Sequence, residues 1–168
     1  MRTLTIIRHA KAEPAVPNID DFDRVLTPRG VKDIKRMAKL LVKLEPPIDL
    51  IVSSPATRAR QTAEMLAARI DHQRPILWKN EIYGGGASDL LGILQGLPED
   101  AIHVVLISHN PGGEVLVGGL SAGAPHQLSV RMPTTAVANL HLEIFWWSQI
   151  RWGCGQLHLL MKPKILRG

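Results

Sequence analysis

Cysteine is almost absent from this chain: Cys154 is the only one among 168 residues. No internal disulfide can form, and a reducing, cytoplasmic setting is the expected home. Aromatic residues are sparse, at 4% of the chain, and no basic run is interleaved with them. Lys and Arg (20) exceed Asp and Glu (15), for a net charge of +5. That excess is spread along helices, so it is read as serving solubility rather than nucleic-acid binding. No apolar run reaches the length of a membrane span. The chain enters a strand almost at its first residue, so neither a secretory signal nor a transit peptide is expected. Internal repeats and low-complexity segments are also missing. The remaining composition, 45% apolar and 21% charged, is that of a soluble globular protein, and the length suits a single domain over residues 1–168.

The stretch Leu4-Thr5-Ile6-Ile7-Arg8-His9-Ala10 is apolar and partly β-branched, then abruptly polar. It reads as a buried strand that delivers Arg8 and His9 at its carboxyl end. Residues 11–26, with Pro14, Pro17, Asp20, Asp21 and Asp23, read as a solvated acidic loop. Thr27-Pro28 offers an N-cap and a first-turn proline. Val31, Ile34, Met37, Leu41 and Leu44 follow at helical spacing until Pro46-Pro47. Residues 48–53 form a second buried strand. Ser54-Pro55 then caps a helix with Ala59, Ala63, Leu66 and Ile70 on its inner face. A short strand is expected at 76–78, a helix at 88–96 and a third strong strand at 103–108. His109-Asn110-Pro111 caps a helix over 111–120 that is weakened by four glycines. Residues 136–142 and 157–161 read as an antiparallel edge hairpin with a glycine-rich turn around Gly153-Cys154-Gly155. Strand alternating with helix implies a parallel sheet with helices packed on it.

Three expected strands thus end alike. The first gives Arg8-His9, the second Ser53-Ser54-Pro55 with Arg58 one turn on, the third His109-Asn110-Pro111. In open α/β sheets ligands bind at these carboxyl ends. Helix N-termini there add N–H groups and positive dipole ends. Two arginines, two histidines and two helix N-termini describe a site for a tetrahedral oxyanion, above all phosphate.

The motifs Ile7-Arg8-His9-Ala10, Leu26-Thr27-Pro28-Arg29-Gly30, Ser53-Ser54-Pro55-Ala56-Thr57-Arg58, Asn80-Glu81-Ile82 and Ser108-His109-Asn110-Pro111 together resemble the histidine phosphatase, or phosphoglycerate mutase-like, superfamily along nearly the whole chain. The short length, Arg8-His9-Ala10-Lys11-Ala12 and the ending Met161-Lys162-Pro163-Lys164-Ile165-Leu166 look most like its SixA-type phosphohistidine phosphatase branch. Much of the superfamily has glycine where this chain has Ala10. The alanine is read as a branch marker, and it bears on how closely that backbone N–H meets phosphate.

The resemblance implies a three-layer α/β/α fold with a mainly parallel central sheet and an antiparallel edge hairpin. It implies no cofactor and no metal. His9 is then the nucleophile, Arg8, Arg58 and His109 bind the phosphoryl oxygens, and Glu81 holds the acid–base position. Two nearby guanidinium groups are expected to keep His9 neutral by lowering its pKa. The expected substrate is phosphohistidine on a protein. A small phosphorylated metabolite, and a catalytically silent phosphoprotein-binding module, stand as alternatives. A metal hydrolase built on His9 and His109 is disfavoured, because adjacent arginines repel a cation and no carboxylate set completes a metal shell. A mutase is disfavoured because only residues 82–108 separate Glu81 from His109, too few to enclose a sugar phosphate. Lys11 either faces the substrate or is simply solvated. Cys154 and most of His72, His103, His126, His141 and His158 are read as incidental, the histidines mainly surface or edge-strand residues.

Overall fold

A computed structural model describes residues 1–168. The apolar N-terminal run forms strand β1 (Arg2–Arg8), paired on both sides and buried along nearly its whole length. Its neighbours are β4 (His103–Ser108), which runs parallel to it, and β5 (Val137–Leu142), which runs antiparallel. With β2 (Leu50–Ser53), β3 (Leu77–Trp78) and β6 (Gly155–Met161) they form a six-stranded sheet in the order β3-β2-β4-β1-β5-β6. Only β5 opposes the rest.

Successive strand residues face opposite sides, and both sides are apolar. Helices α1 (Pro28–Leu41) and α2 (Thr57–Arg69) cover one face, where Met37, Leu41, Ala63 and Leu66 meet Ile7, Ile51 and Val105. Helices α3 (Ala87–Gln95) and α4 (Gly112–Ala122) cover the other, where Leu90, Leu94, Leu116 and Leu120 meet Leu4, Ile6 and Leu106. This is the three-layer α/β/α arrangement expected from the sequence. No helix is long and apolar enough to cross a membrane.

Four local expectations are corrected. First, α1 stops at Leu41, short of Pro46-Pro47, and 42–45 turn off. Second, α2 begins at Thr57, and Ser54 does not cap it. Third, α4 is a full helix despite Gly112, Gly113, Gly118 and Gly119. A Cβ on Gly113 would sit 2.7 Å from Ser108 Oγ, and one on Gly118 would strike the Leu128 carbonyl. The glycines lower helix propensity but let α4 lie directly against the sheet and the following loop, so tertiary packing wins. Fourth, the hairpin turn is long. Residues 143–154 carry a 3-10 turn (Trp147–Gln149) that buries Trp147 and Cys154 in the core. Trp147 Nε1 donates to the Ala101 carbonyl at 2.8 Å.

His103 is also not a surface residue. It is fully buried on the central strand β4. Its Nδ1 donates to the Pro46 carbonyl (2.6 Å), which leaves Nε2 to accept from Thr5 Oγ1 (2.8 Å); Thr5 in turn accepts from Asn139 Nδ2 (2.9 Å). This satisfied chain makes a neutral imidazole tolerable in the interior.

The loop 11–26 is pinned where it matters. Thr27 accepts the Gly30 amide at 3.0 Å as an N-cap, and the Thr27 amide donates to the Lys11 carbonyl at 2.8 Å. That carbonyl passes so close to Gly30 that any Cβ there would collide with it. Gly30→Ala should therefore cost roughly 1–3 kcal/mol, as overpacked sites do. The loss should be read as a lower urea midpoint; an unchanged midpoint would mean that the Lys11 segment moves aside freely.

Candidate active site

β1 and β4 end level. Arg8 lies opposite Ser108, and the His9 amide donates to the Ser108 carbonyl at 3.1 Å. Arg8-His9 and His109 therefore leave adjacent strands at one edge. β2 ends one strand further on at Ser53, and α2 brings Arg58 in its first turn. Helical side chains tilt toward the N-terminus, which swings Arg58 back over the strand ends. Its Nε lies 3.3 Å from His9 Nε2. The His9 and His109 rings are 5.1 Å apart, centroid to centroid. Four of the five residues singled out from the sequence are thus gathered at one edge.

The tautomer of His9 follows from its contacts. Nδ1 lies 2.8 Å from the Ala10 carbonyl. A carbonyl only accepts, so Nδ1 carries the proton. Nε2 then holds a lone pair, toward which Arg58 Nε–H points. Burial is the main reason that His9, 7% exposed, is pushed down to about 3. The charges of His109, Arg58 and Arg8 add smaller effects in the same direction, against the Ala10 carbonyl. The expected direction holds, but desolvation leads and the guanidinium groups follow. Burial likewise lowers His109 to about 4, with Arg58 the next cause.

His109 Nε2 lies 2.8 Å from Ser54 Oγ, which also accepts the Ala56 amide at 3.2 Å. Ser54 thus orients an imidazole rather than capping a helix. His109 Nδ1 and Arg8 Nε are buried without hydrogen-bond partners, as are polar atoms of Ser108, Asn110 and Thr135. Unpaired buried polar groups are costly and uncommon; these five gather at the ends of β1 and β4, while two more, on Asp49 and His72, lie elsewhere. Arg8 Nη1 donates to the Met132 carbonyl (3.2 Å), which also accepts Asn110 Nδ2 (2.9 Å). Asn110 is therefore a brace, not the expected cap. Glu114 holds the same residue from the other side, accepting the Met132 amide at 2.7 Å.

The Ala10 amide donates to Thr62 Oγ1 at 3.0 Å, so it is already engaged within the protein. Glu81 lies on a 3-10 turn (Asn80–Ile82), exposed, and is not linked to the other four by an ion pair. Lys11 is exposed and lines a different cleft. Cys154 is buried in the core, away from the strand ends.

Sequence reasoning misses Asp21. Its loop reads as solvated, yet Asp21 closes the site from above on a 3-10 turn (Asp21–Asp23). Arg58 Nη1 donates to its carbonyl (2.6 Å) and Nη2 to its carboxylate (3.1 Å), while the Tyr83 hydroxyl donates to Oδ2 at 2.9 Å. The Tyr83 hydrogen bond is the leading reason that Asp21 is lowered to about 2, with Arg24 and Arg58 contributing. Tyr83 is the chain's only tyrosine and stands directly before Gly84-Gly85-Gly86, a signal that could have marked it; Asp21 offers none. Asp21, Arg58, Tyr83, His109 and Asn110 line a cavity of about 330 Å³.

Nowhere do three or more His, Cys, Asp or Glu side chains converge as a metal shell. The donor set at the strand ends is cationic or neutral and suits a phosphoryl group: two guanidinium groups, an oriented imidazole and a second imidazole whose unprotonated Nε2 accepts from Arg58 Nε–H at 3.3 Å.

Comparison with known proteins agrees with this geometry. Residues 4–82, which hold Arg8, His9 and Arg58, match the family model for the histidine phosphatase superfamily (branch 1). An uncharacterized protein of Mycobacterium tuberculosis is 27% identical over 158 residues, 90% of this chain and 96% of that protein. The structure of the protein histidine phosphatase SixA complexed with tungstate is 26% identical, with a TM-score of 0.83 over 98% of this chain and 99% of that one. The candidate phosphohistidine phosphatase SixA of Nakamurella multipartitia is 28% identical, with a TM-score of 0.81 over 96% of both chains. The fold is phosphoglycerate mutase-like, and with the matched motifs and this full-length similarity the chain belongs to the histidine phosphatase superfamily, branch 1.

Proposed function

We propose that the protein is a phosphatase that passes phosphate through His9 and acts on phosphohistidine carried by a protein. The observation that carries this reading is the state of His9: Nδ1 tied to a carbonyl, Nε2 unprotonated and facing Arg58 at 3.3 Å. Nε2 attacks phosphorus, and a nitrogen–phosphorus bond forms as the bond from phosphorus to the substrate imidazole breaks. Arg8, Arg58 and His109 hold the phosphoryl oxygens and balance their charge. Water then attacks phosphorus, the His9 bond breaks, and inorganic phosphate leaves with His9 returned neutral.

Two observations support phosphohistidine over a phosphoester. The full-length similarity to SixA structures is one. The other is the carboxylate on the cavity wall: Asp21, held down to about 2, is a poor proton donor near neutrality. An imidazole leaving group, with an ordinary pKa of about 6.5, takes its proton from solvent. An alkoxide needs a placed acid, and Glu81, proposed for that role, is exposed and does not line the cavity.

His9→Ala should remain folded and lose turnover together with acid-quenched labelling of the protein by phosphate. Near-normal turnover in the folded variant would remove His9 as the nucleophile. Glu81→Gln should reduce kcat/KM for a small phosphoester more than for a phosphohistidine protein. Equal losses would mean that leaving-group protonation does not separate the two, and a wild-type preference for the small ester would favour a metabolite phosphatase.

The pH dependence has a definite sign. His9 and His109, lowered from 6.5 to about 3 and about 4, should show ring-proton NMR shifts that stay constant from pH 8 to pH 5. Below about 6.5 the unfolded chain takes up protons that the folded chain refuses, so stability falls with pH down to the folded-state values. Thermal melting should therefore decline over this range in wild type and less steeply in His9→Ala. A ring titrating near 6.5 in the folded protein would contradict the burial argument.

A further inference from the structure

The basic excess is not evenly spread. A second cleft of about 400 Å³ opens beside the strand ends, and its wall carries Lys11, Arg29, Lys162, Lys164 and Arg167, with Thr134 between them and no carboxylate. The two sites share backbone. Lys11 lies two residues beyond His9, so their Cα atoms are at most about 7.6 Å apart. Thr134 precedes Thr135, whose amide donates to both the Arg8 and His9 carbonyls at 3.1 Å.

Of these five cations only Arg167 is paired directly with an acid, by two bonds to Asp33 at 2.6 and 3.1 Å. The other four are exposed and enter no ion pair. The outer face of α1 extends the charge: Arg29, Lys32, Arg36 and Lys39 follow one another at three- and four-residue spacing, all exposed. The helix's one acid, Asp33, is buried. Like charges at this spacing repel, and the one acid among them, Asp33, pairs directly only with Arg36 and Arg167 and acts on Arg29 and Lys11 from a distance.

We infer that this cleft is a docking subsite for acidic side chains that flank the phosphohistidine on the substrate protein. The inference rests on the reading of the protein as a phosphohistidine phosphatase. Lysine heads on flexible stems suit scattered carboxylates on a folded surface better than one fixed phosphate, which calls for converging forks. The wall holds no aromatic ring, so a nucleobase would find no stacking platform. A one-sign patch against the reacting edge raises the local concentration of an acidic partner and orients its approach.

The test uses two phosphohistidine peptides that differ only in Glu or Gln at the residues flanking the phosphohistidine. At low salt, wild-type protein should hydrolyse the Glu peptide with a kcat/KM about tenfold higher, through KM, and the gap should close as salt screens the charges. Lys162→Glu combined with Lys164→Glu should erase or reverse the preference while leaving hydrolysis of phosphoramidate unchanged, which also reports that the variant is folded. Equal kcat/KM for the two peptides in wild type would overturn the inference alone. No hydrolysis of either, with p-nitrophenyl phosphate still turned over, would overturn the phosphohistidine reading and this inference with it. Binding of a single-stranded oligonucleotide more tightly than the Glu peptide, lost in the same double variant, would assign the cleft to nucleic acid instead.

Discussion

β1 and β4 lie side by side with Arg8 opposite Ser108, and the placement of the site is set by that register. Because the strands are parallel, the chain leaves both in the same direction, so His9 and His109 emerge as neighbours. Because both strands are central in the sheet, hydrogen bonds and packing on each side hold them in place. A one-residue slip of β1 would turn Ile6 and Ile7 to opposite faces and carry Arg8 and His9 away from His109. The apolar layers above and below the sheet are therefore part of the site's geometry as well as its stability.

At the strand ends the fold concentrates positive charge where water is scarce. Arg58 is 5% exposed. Its counter-charge is Asp21, brought in from the loop, and the counter-charge of Arg8 is Glu114, on the first turn of α4. Each acid reaches its arginine differently. Asp21 binds Arg58 directly, whereas Glu114 fixes Met132 by its amide, and the carbonyl of that residue holds Arg8. The imidazoles between them stay neutral because burial penalises their protonated forms, an effect larger here than repulsion by the guanidinium groups.

The sheet and the four residues Arg8, His9, Arg58 and His109 were legible in the sequence because their signals are local. Apolar runs mark the strands, and the chemistry sits within a few residues of where each run stops. What was not legible depends on contacts between distant segments. Asp21 meets Arg58 across 37 residues, and nothing in 11–26 distinguishes it from Asp20 or Asp23. Ser54 has the residue type and position of a helix cap, yet it serves His109, 55 residues away. The glycines of α4 argue against a helix until the neighbours they admit are known. His103 resembles a solvent histidine at a strand start, and only the carbonyl of Pro46 and the hydroxyl of Thr5 make its burial acceptable.

In the proposed reaction, the bond between Asp21 and Arg58 bears on the fate of phosphate once it has been cut free. Two of the three guanidinium nitrogens of Arg58 are already committed to Asp21, so an arriving phosphoryl group must share Nη1 with a backbone carbonyl and Nη2 with a carboxylate of its own sign. The arginine's hold on any anion is correspondingly looser. Such loosening affects anions unequally. A phosphoryl group still attached to a larger molecule keeps every contact that molecule makes elsewhere, whereas free phosphate has only the strand ends to hold it. In the proposed reaction, whose product is a fragment of its substrate, an internal competitor of this kind favours clearance of the fragment over loss of the whole.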